Sequence, residues 1–419
     1  MKTIVFIETQ KSGSSREAIR AAERLGYYTV LLTKRSSFWE KRSEFPDVHL
    51  MRLCNLEDIE EIRNNIRALT LRALDIYSII SFVDPYCYTA CLMAEEFGVN
   101  HFSTQAVLTM QDKILSREVL AQTPYVPKYQ VLSNKLSRIS LRREDSRQTR
   151  FILKSPNSTG SKDVYVINSE KKLERYMELL DKKYPGVPIL IEEYLDGPQY
   201  LVEAVVYQQG IYIIAIIEQE ITFSKRFIVT GYSLLLDLEA DFLHSLREAV
   251  STIIKLHGME SGACHLELRL VNQEWKLIEI NPRISGAGMN KLIEFGFGIN
   301  LVEETLKIAL GQEPNLRAKF KQPVFAQYLI ISQTGYLMKV TGKKKALRAP
   351  GVLEVYVKPR KGRLLTPPLS MGDRYAYVIA KGSTEQEAKE NAKQAAAQIK
   401  FLLSGVDTIQ VNQINMSEK

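Results

Sequence analysis

The chain has 419 residues, 45% hydrophobic and 25% charged, the make-up of a globular protein with apolar material for two or three packed domains. Its longest apolar run, about seven residues from Ile211 to Ile217, falls far short of the roughly 20 that a membrane helix needs. The formal charge of +8 is unevenly placed: residues 128–183 hold 14 basic and 7 acidic side chains, residues 317–363 hold 12 and 1, and the remainder is net −10. Neither basic block carries interleaved aromatics or a helix-turn-helix or zinc-finger spacing, so nucleic acid is not expected as a partner. A polyphosphate ligand accounts for the first block equally well.

The opening Met1-Lys-Thr-Ile-Val-Phe-Ile is signal-like until Glu8 interrupts it, and it reads as a buried first strand. Four cysteines without a C-x-x-C pair suit a reducing compartment, and the chain is expected to be cytoplasmic. Cys87 and Cys91 lie one helical turn apart with no His at ligand spacing, and read as buried thiols.

Short β-branched runs then alternate with amphipathic helices: a strand Thr3–Ile7, a helix from Ser15 to Leu25, strands Tyr28–Leu32 and Ile76–Val83, and a helix Tyr86–Phe97. This is the rhythm of a parallel sheet. The loop Thr9-Gln-Lys-Ser-Gly-Ser-Ser is neither a dinucleotide fingerprint nor a Walker loop. A helix is expected over 111–125, broken by Pro124 and Pro127. Beyond Phe151–Lys154 the pattern turns antiparallel, with strands Ile189–Glu193, Tyr200–Tyr207 and Ile211–Ile217, a helix from Asp241 to Leu256, a hairpin over 263–280 and a helix from Asn300 to Leu310. The tail adds strands Val324–Ile331, Leu353–Lys358 and Tyr375–Ala380 and a helix over Glu385–Leu403.

The hairpin carries the chemistry. A turn at Asn272–Glu274, centred on Gln273, sets Glu267 opposite Glu279 and leaves Asn281 and His265 on the same face. Leu266, Leu268, Ile278 and Ile280 form the inner side. Like charges across a ladder call for a cation, and two Glu and an Asn suit Mg²⁺. The strand then ends in Asn281-Pro-Arg-Ile-Ser-Gly-Ala-Gly, a small-residue loop that lets a guanidinium and backbone N–H groups approach an anion. Metal ligands, Arg283 and a glycine loop together point to phosphoryl transfer.

These residues resemble the signature of the ATP-grasp superfamily. Asp112-Lys113 and Phe151-Ile-Leu-Lys154 resemble its two ATP lysines, and Leu190-Ile-Glu-Glu-Tyr-Leu195 its hinge. The resemblance implies an α/β and α+β fold: a parallel-sheet preATP-grasp domain of the biotin-carboxylase-like kind (1–110), an ATP-grasp domain (111–312) and a C-terminal α+β lobe (313–419). It also implies ATP with two Mg²⁺ ions, the metal held by Glu267, Glu279 and Asn281. ATP would be bound by Lys113, Lys154, a closing loop with Ser158, Gly160 and Ser161, the side chain of Glu192, the backbone of Glu193 and Leu195, and Tyr194, His265 and Leu266. Gln199 stands where many members have a Glu for the ribose hydroxyls.

Within the superfamily the sequence looks most like the bacterial L-amino-acid ligases. That likeness implies phosphorylation of one amino acid's carboxylate by ATP and attack by the amine of a second, with Arg283 holding the phosphoryl group and oxyanion. Asp84, Tyr232, Arg283, Ser285, Gly286 and Ala287 would line the two amino-acid substrates. Asp84 reads equally as a helix cap before Pro85. Tyr232 replaces a Gly-His imidazole that helps hold a substrate carboxylate, and Ala287 replaces a bulky aromatic, which implies a roomier acceptor pocket. Another carboxylate–amine ligase, a biotin-carboxylase-like enzyme and a non-catalytic ATP-binding regulator are the rival readings. No membrane partner is expected, and the sequence leaves open whether the protein works as a homodimer.

Overall fold

The computed structural model describes residues 1–133, 150–156, 160, 162–223 and 226–405. The chain begins with β1 (Lys2–Ile7), α1 (Ser14–Arg24), β2 (Tyr28–Thr33), α2 (Ser36–Glu40), β3 (Leu50–Leu53), α3 (Ile59–Thr70), β4 (Asp75–Ile80), α4 (Tyr86–Glu96), α5 (Thr104–Gln111) and α6 (Lys113–Val119). There follow β5 (Tyr129–Leu132), β6 (Phe151–Lys154), β7 (Val164–Ile167), α7 (Glu170–Lys183), β8 (Ile189–Glu193), β9 (Gln199–Tyr207), β10 (Gly210–Phe223), β11 (Phe227–Leu234), α8 (Ala240–Leu256), β12 (Gly262–Val271) and β13 (Glu274–Asn281). The remainder is α9 (Met289–Phe297), α10 (Leu301–Ala309), β14 (Val324–Leu329), β15 (Gly335–Thr341), α11 (Lys343–Leu347), β16 (Val352–Val357), β17 (Leu364–Leu365), β18 (Ala376–Lys381), α12 (Glu385–Ala396) and β19 (Lys400–Ser404).

Two compact units share these elements. The first comprises Met1–Pro127, Leu201–Ile216 and Leu238–Phe320; the second comprises Lys128–Tyr200, Ile217–Asp237 and Lys321–Lys419. In the first unit β3-β2-β1-β4 form a parallel sheet. Ile4, Val5, Phe6 and Ile7 are all buried, as expected where both faces of a parallel sheet are covered. Because β2 and β4 flank β1 on opposite sides, the strand order reverses there, and ligands of open α/β sheets bind beyond the strand ends at such a point. This unit also holds the strands β13-β12-β9-β10, with β9 from Leu201 and β10 as far as Ile216. The second unit holds β5-β8-β6-β7, the order β10-β11-β14-β18-β16, and the small sheet β17-β15-β19.

Four expected elements differ. The helix expected over 111–125 is shorter: only α6, Lys113–Val119, lies within it, and Asp112, between α5 and α6, has an extended backbone and caps α6 through side-chain bonds to the N–H groups of Ile114 and Leu115. The helix over Glu385–Leu403 stops at Ala396, where its buried alanine stripe ends, and Lys400–Ser404 pair with β15 instead. The strand Ile76–Val83 ends at Ile80, and β10 runs on to Phe223. All four cysteines are free and buried. Among the described residues no helix is long and apolar enough to cross a membrane.

The hairpin reaches the expected pairing by a different route. Its turn is the two residues Asn272 and Gln273, both at positive φ, and Glu274 belongs to β13. Near the turn Leu268 therefore faces Leu277. A bulge then shifts the register by one, so that Glu267 faces Glu279 and His265 faces Asn281. The bulge also exchanges the inner residues: Leu277 is buried and Ile278 is only partly so. The Ile278 carbonyl accepts from Arg117 Nη2 at 2.6 Å.

Candidate active site

In the first unit the hairpin face presents Glu267 and Glu279, with Lys113 Nζ 3.5 Å from Glu279 Oε2. Asn281 Nδ2 donates to Glu279 Oε1 at 2.8 Å and lies 3.2 Å from His265 Nε2. His265 Nδ1 sits 3.0 Å from the Arg283 carbonyl. A carbonyl only accepts, so Nδ1 carries the hydrogen and Nε2 accepts from Asn281. Burial, with the Arg283 charge adding to it, pushes the imidazole down to about 4, which keeps it neutral near pH 7. The amide nitrogen of Asn281 being committed twice, its Oδ1 is the atom left to meet a cation. Two opposed carboxylates and an amide oxygen fit a hard divalent cation. No group of three or more His, Cys, Asp or Glu gathers among the described residues, so such a site depends on Asn281 as its third ligand.

Arg283 closes this face. Its side chain and that of Asp84 are 16% and 9% exposed, and they form an ion pair through Nη2 and Oδ2. Burial opposes the guanidinium's charge, but Asp84 outweighs it and holds Arg283 cationic. Asp84 therefore does not cap α4, whose N-cap residue is Pro85, without a side-chain capping bond. Beyond Arg283, Ser285 is buried while Gly286 and Ala287 are exposed, Ala287 at φ 55°. Leu266, by contrast, is wholly buried.

In the second unit Lys154 and Glu192 are both buried and paired at 2.6 Å between Nζ and Oε2. Glu193 donates its N–H to the Lys128 carbonyl at 2.9 Å and takes the Lys128 N–H on Oε1 at 2.8 Å. Its backbone N–H is thus already committed to the neighbouring strand segment. The Arg150 guanidinium stacks 4.1 Å from the Tyr194 ring, and Leu195 follows directly. Gln199 donates to Gln219 Oε1 at 2.7 Å. Gly160 takes φ 65°, and its carbonyl accepts from the Met371 N–H at 3.3 Å. Ser158 and Ser161 lie outside the described residues.

Tyr232, on β11, is buried, and its hydroxyl accepts from Arg374 Nη1 at 2.8 Å. Arg374 also stacks 4.0 Å from Tyr328. Sequence reasoning missed Arg374 and Gln219, as well as Glu203, a fully buried carboxyl on β9 that accepts from the Ser285 N–H. A lone Glu in the apolar run Leu201 to Val206 was the available signal for the last.

Comparison with known proteins places this arrangement in a class. Residues 147–291 match the family model described as an ATP-grasp domain, and residues 327–404 match L-amino acid ligase C-terminal domain 2. The chain is similar to the L-amino acid ligase of Bacillus licheniformis, with a TM-score of 0.81 at 17% identity over 97% of this chain and 99% of that one. It is 22% identical to dapdiamide A synthase of Enterobacter agglomerans over 67% of this chain and 72% of the other. It is also 22% identical to the uncharacterized protein y4rH of Sinorhizobium fredii, over 96% of this chain and 83% of the other. The fold is an ATP-grasp fold. The chain carries an ATP-grasp domain and an L-amino acid ligase C-terminal domain, the parts of an ATP-grasp carboxylate–amine ligase.

Proposed function

We propose that the protein joins two unprotected L-amino acids into a dipeptide, releasing ADP and phosphate. The observation that carries this reading is the match of residues 327–404 to the L-amino acid ligase C-terminal domain. In sequence terms 1–110, 111–312 and 313–419 serve as the preATP-grasp, ATP-grasp and C-terminal modules.

A carboxylate oxygen of the first amino acid attacks the γ-phosphorus, and the bond to ADP breaks. The ammonium of the second gives one proton to water, the resulting amine attacks the acyl carbon, and the bond to phosphate breaks as the nitrogen's second proton passes to the departing phosphate. Lys113 and Lys154 neutralise phosphate oxygens, and Glu192 keeps Lys154 in place. Glu267, Glu279 and Asn281 would hold Mg²⁺, which when bound supplies charge neutralisation at the β- and γ-phosphates. Arg283 steadies the transferring phosphoryl group and the oxyanion of the second step, where donors aimed at developing charge are most effective. Glu192, Tyr194, Leu195 and Gln199 hold the nucleoside. Asp84, Tyr232, Ser285, Gly286 and Ala287 face the amino acids.

Phosphate release with ATP and Mg²⁺ over all pairs of the twenty amino acids, with mass spectrometry of the products, tests this directly. Failure of every pair to stimulate release rules out dipeptide ligation. Replacing Arg283 by Lys or Ala should leave ATP affinity within a few-fold while turnover falls by about 10²–10³. Near-normal turnover would refute the role given to Arg283.

A further inference from the structure

From Leu201 to Val206, β9 is apolar and buried apart from one ionisable group, the carboxyl of Glu203, which is 0% exposed. A carboxylate taken out of water requires compensation. Glu203 receives it from Ser285, whose backbone N–H lies 3.2 Å from Oε1 and 3.3 Å from Oε2. The other end of that same peptide, the Ile284 carbonyl, accepts from Arg283 Nη1 at 2.9 Å. One peptide group is thus suspended between an anion and a cation, with its dipole aligned to both.

The loop is fixed on another side as well. The Ser285 carbonyl accepts from Ser14 Oγ at 2.6 Å, and a Cβ on Gly13 would stand 3.0 Å from the Ala287 nitrogen. Arg283 has fewer anchors than its donors could fill. Nη2 meets Asp84, Nη1 meets the Ile284 carbonyl, and Nε is buried without a hydrogen-bond partner. The position of the guanidinium therefore depends on one carboxylate and one carbonyl.

We propose that Glu203 is a positioning residue for Arg283, acting through the Ile284–Ser285 peptide: as a carboxylate it grips the N–H and polarises the carbonyl that carries Nη1. Hydrogen bonds in series strengthen one another, and a charged terminus strengthens the series further. The ionisable groups that act on Glu203 are Arg283 and the thiol of Cys264 on the neighbouring β12, itself pushed up by burial and uncharged. Burial pushes the Glu203 carboxyl up to about 7, against the pull of Ser285 and Arg283. Protonation would slacken the chain and release Arg283 from its carbonyl.

The kinetic test rests on the ligase reading above. Glu203→Gln keeps an oxygen for the Ser285 N–H but removes the charge. It should leave the KM for ATP within about twofold, lower kcat by about tenfold, and abolish the fall in kcat expected of the wild type below about pH 7. Wild-type kcat in this variant, or a wild-type kcat that is flat from about pH 6 to 8.5, overturns the proposal.

A second measurement is independent of turnover. In protein labelled with ¹⁵N at arginine, the Arg283 Nε–Hε resonance, assigned by its loss in Arg283→Lys, should shift with a midpoint near pH 7 in the wild type and stay still in Glu203→Gln. If no amino-acid pair turns over, the ligase reading fails and this titration alone decides on Glu203. If the Gln variant does not fold, the wild-type titration decides, and an unmoving resonance overturns the proposal.

Discussion

Ala287 holds a left-handed backbone, φ 55°, that a side chain tolerates at a cost of about 1–2 kcal/mol, and its backbone is approached closely by Gly13. Its exposed methyl leaves room that an aromatic would occupy. Ala287→Trp is expected to lower kcat/KM for bulky acceptor amino acids by about tenfold relative to small ones, whereas Ala287→Gly should keep the acceptor profile. An unchanged preference in the Trp variant would count against a roomy acceptor pocket. Residues of this loop were legible because Pro282, Gly286 and Gly288 mark it and because Glu267, Glu279 and Asn281 obey a period of two. Glu203 and Arg374 were not, since their partners lie 82 and 142 residues away along the chain and no local pattern announces them. The Lys154–Glu192 pair was half visible: each residue stood out as a ligand candidate, and their bond to one another did not.

At the scale of the element, the bulge in the β12–β13 hairpin decides which side chains share a face. A two-residue turn alone would set Glu267 against Ile278, and the inserted residue restores its pairing with Glu279. Inserting an alanine after Ile278 should therefore set that alanine against Glu267 and turn Glu279 and Asn281 to the opposite side of β13. Thermal unfolding should still be cooperative, at a lower Tm, while Mg²⁺-dependent ATP binding measured by calorimetry is lost. Intact Mg²⁺-dependent binding would show that the register does not set the metal site. The alternation and the face were readable in the sequence. The bulge was not, because the group that meets its carbonyl, Arg117, lies 161 residues away along the chain. The start of α6 after Asp112 was legible in principle, since an Asp before a helical run is a cap signal.

For the molecule as a whole, the +8 surplus resolves into unlike parts. Lys343, Lys344, Lys345 and Arg348 are exposed on and beside α11, and Arg360, Lys361 and Arg363 are exposed before β17, so the second basic block is largely a solvated face. Stability should respond to pH mainly through buried groups. Glu203, raised to about 7, stabilises the fold while protonated, and that contribution is lost as pH rises from the unfolded value through 7. His265, lowered to about 4, has the opposite effect: its contribution is complete above its unfolded value and is lost as pH falls toward 4. Comparing wild type with Glu203→Gln isolates the first. The variant should be more stable by about 1–3 kcal/mol at pH 8 and equal to the wild type at pH 4, as read from urea unfolding. Equal stability at pH 8 would mean that the ionised carboxylate carries no burial penalty.

The interleaving of the two units has a consequence for the order of events during synthesis. Their boundaries fall inside β9 and β10, so neither unit is a continuous stretch of chain. The parallel sheet and its core, drawn from residues between Val5 and Val99, can assemble as soon as they leave the ribosome. The rest of the first unit must wait for residue 320, and the second unit, begun at Lys128, cannot close until β14 to β19 have been made. Lys154 and Glu192 are therefore translated long before the strands that complete their unit, and a nascent chain halted at residue 320 would hold the sheet of β5 to β8 with its own core but lack β14 to β19.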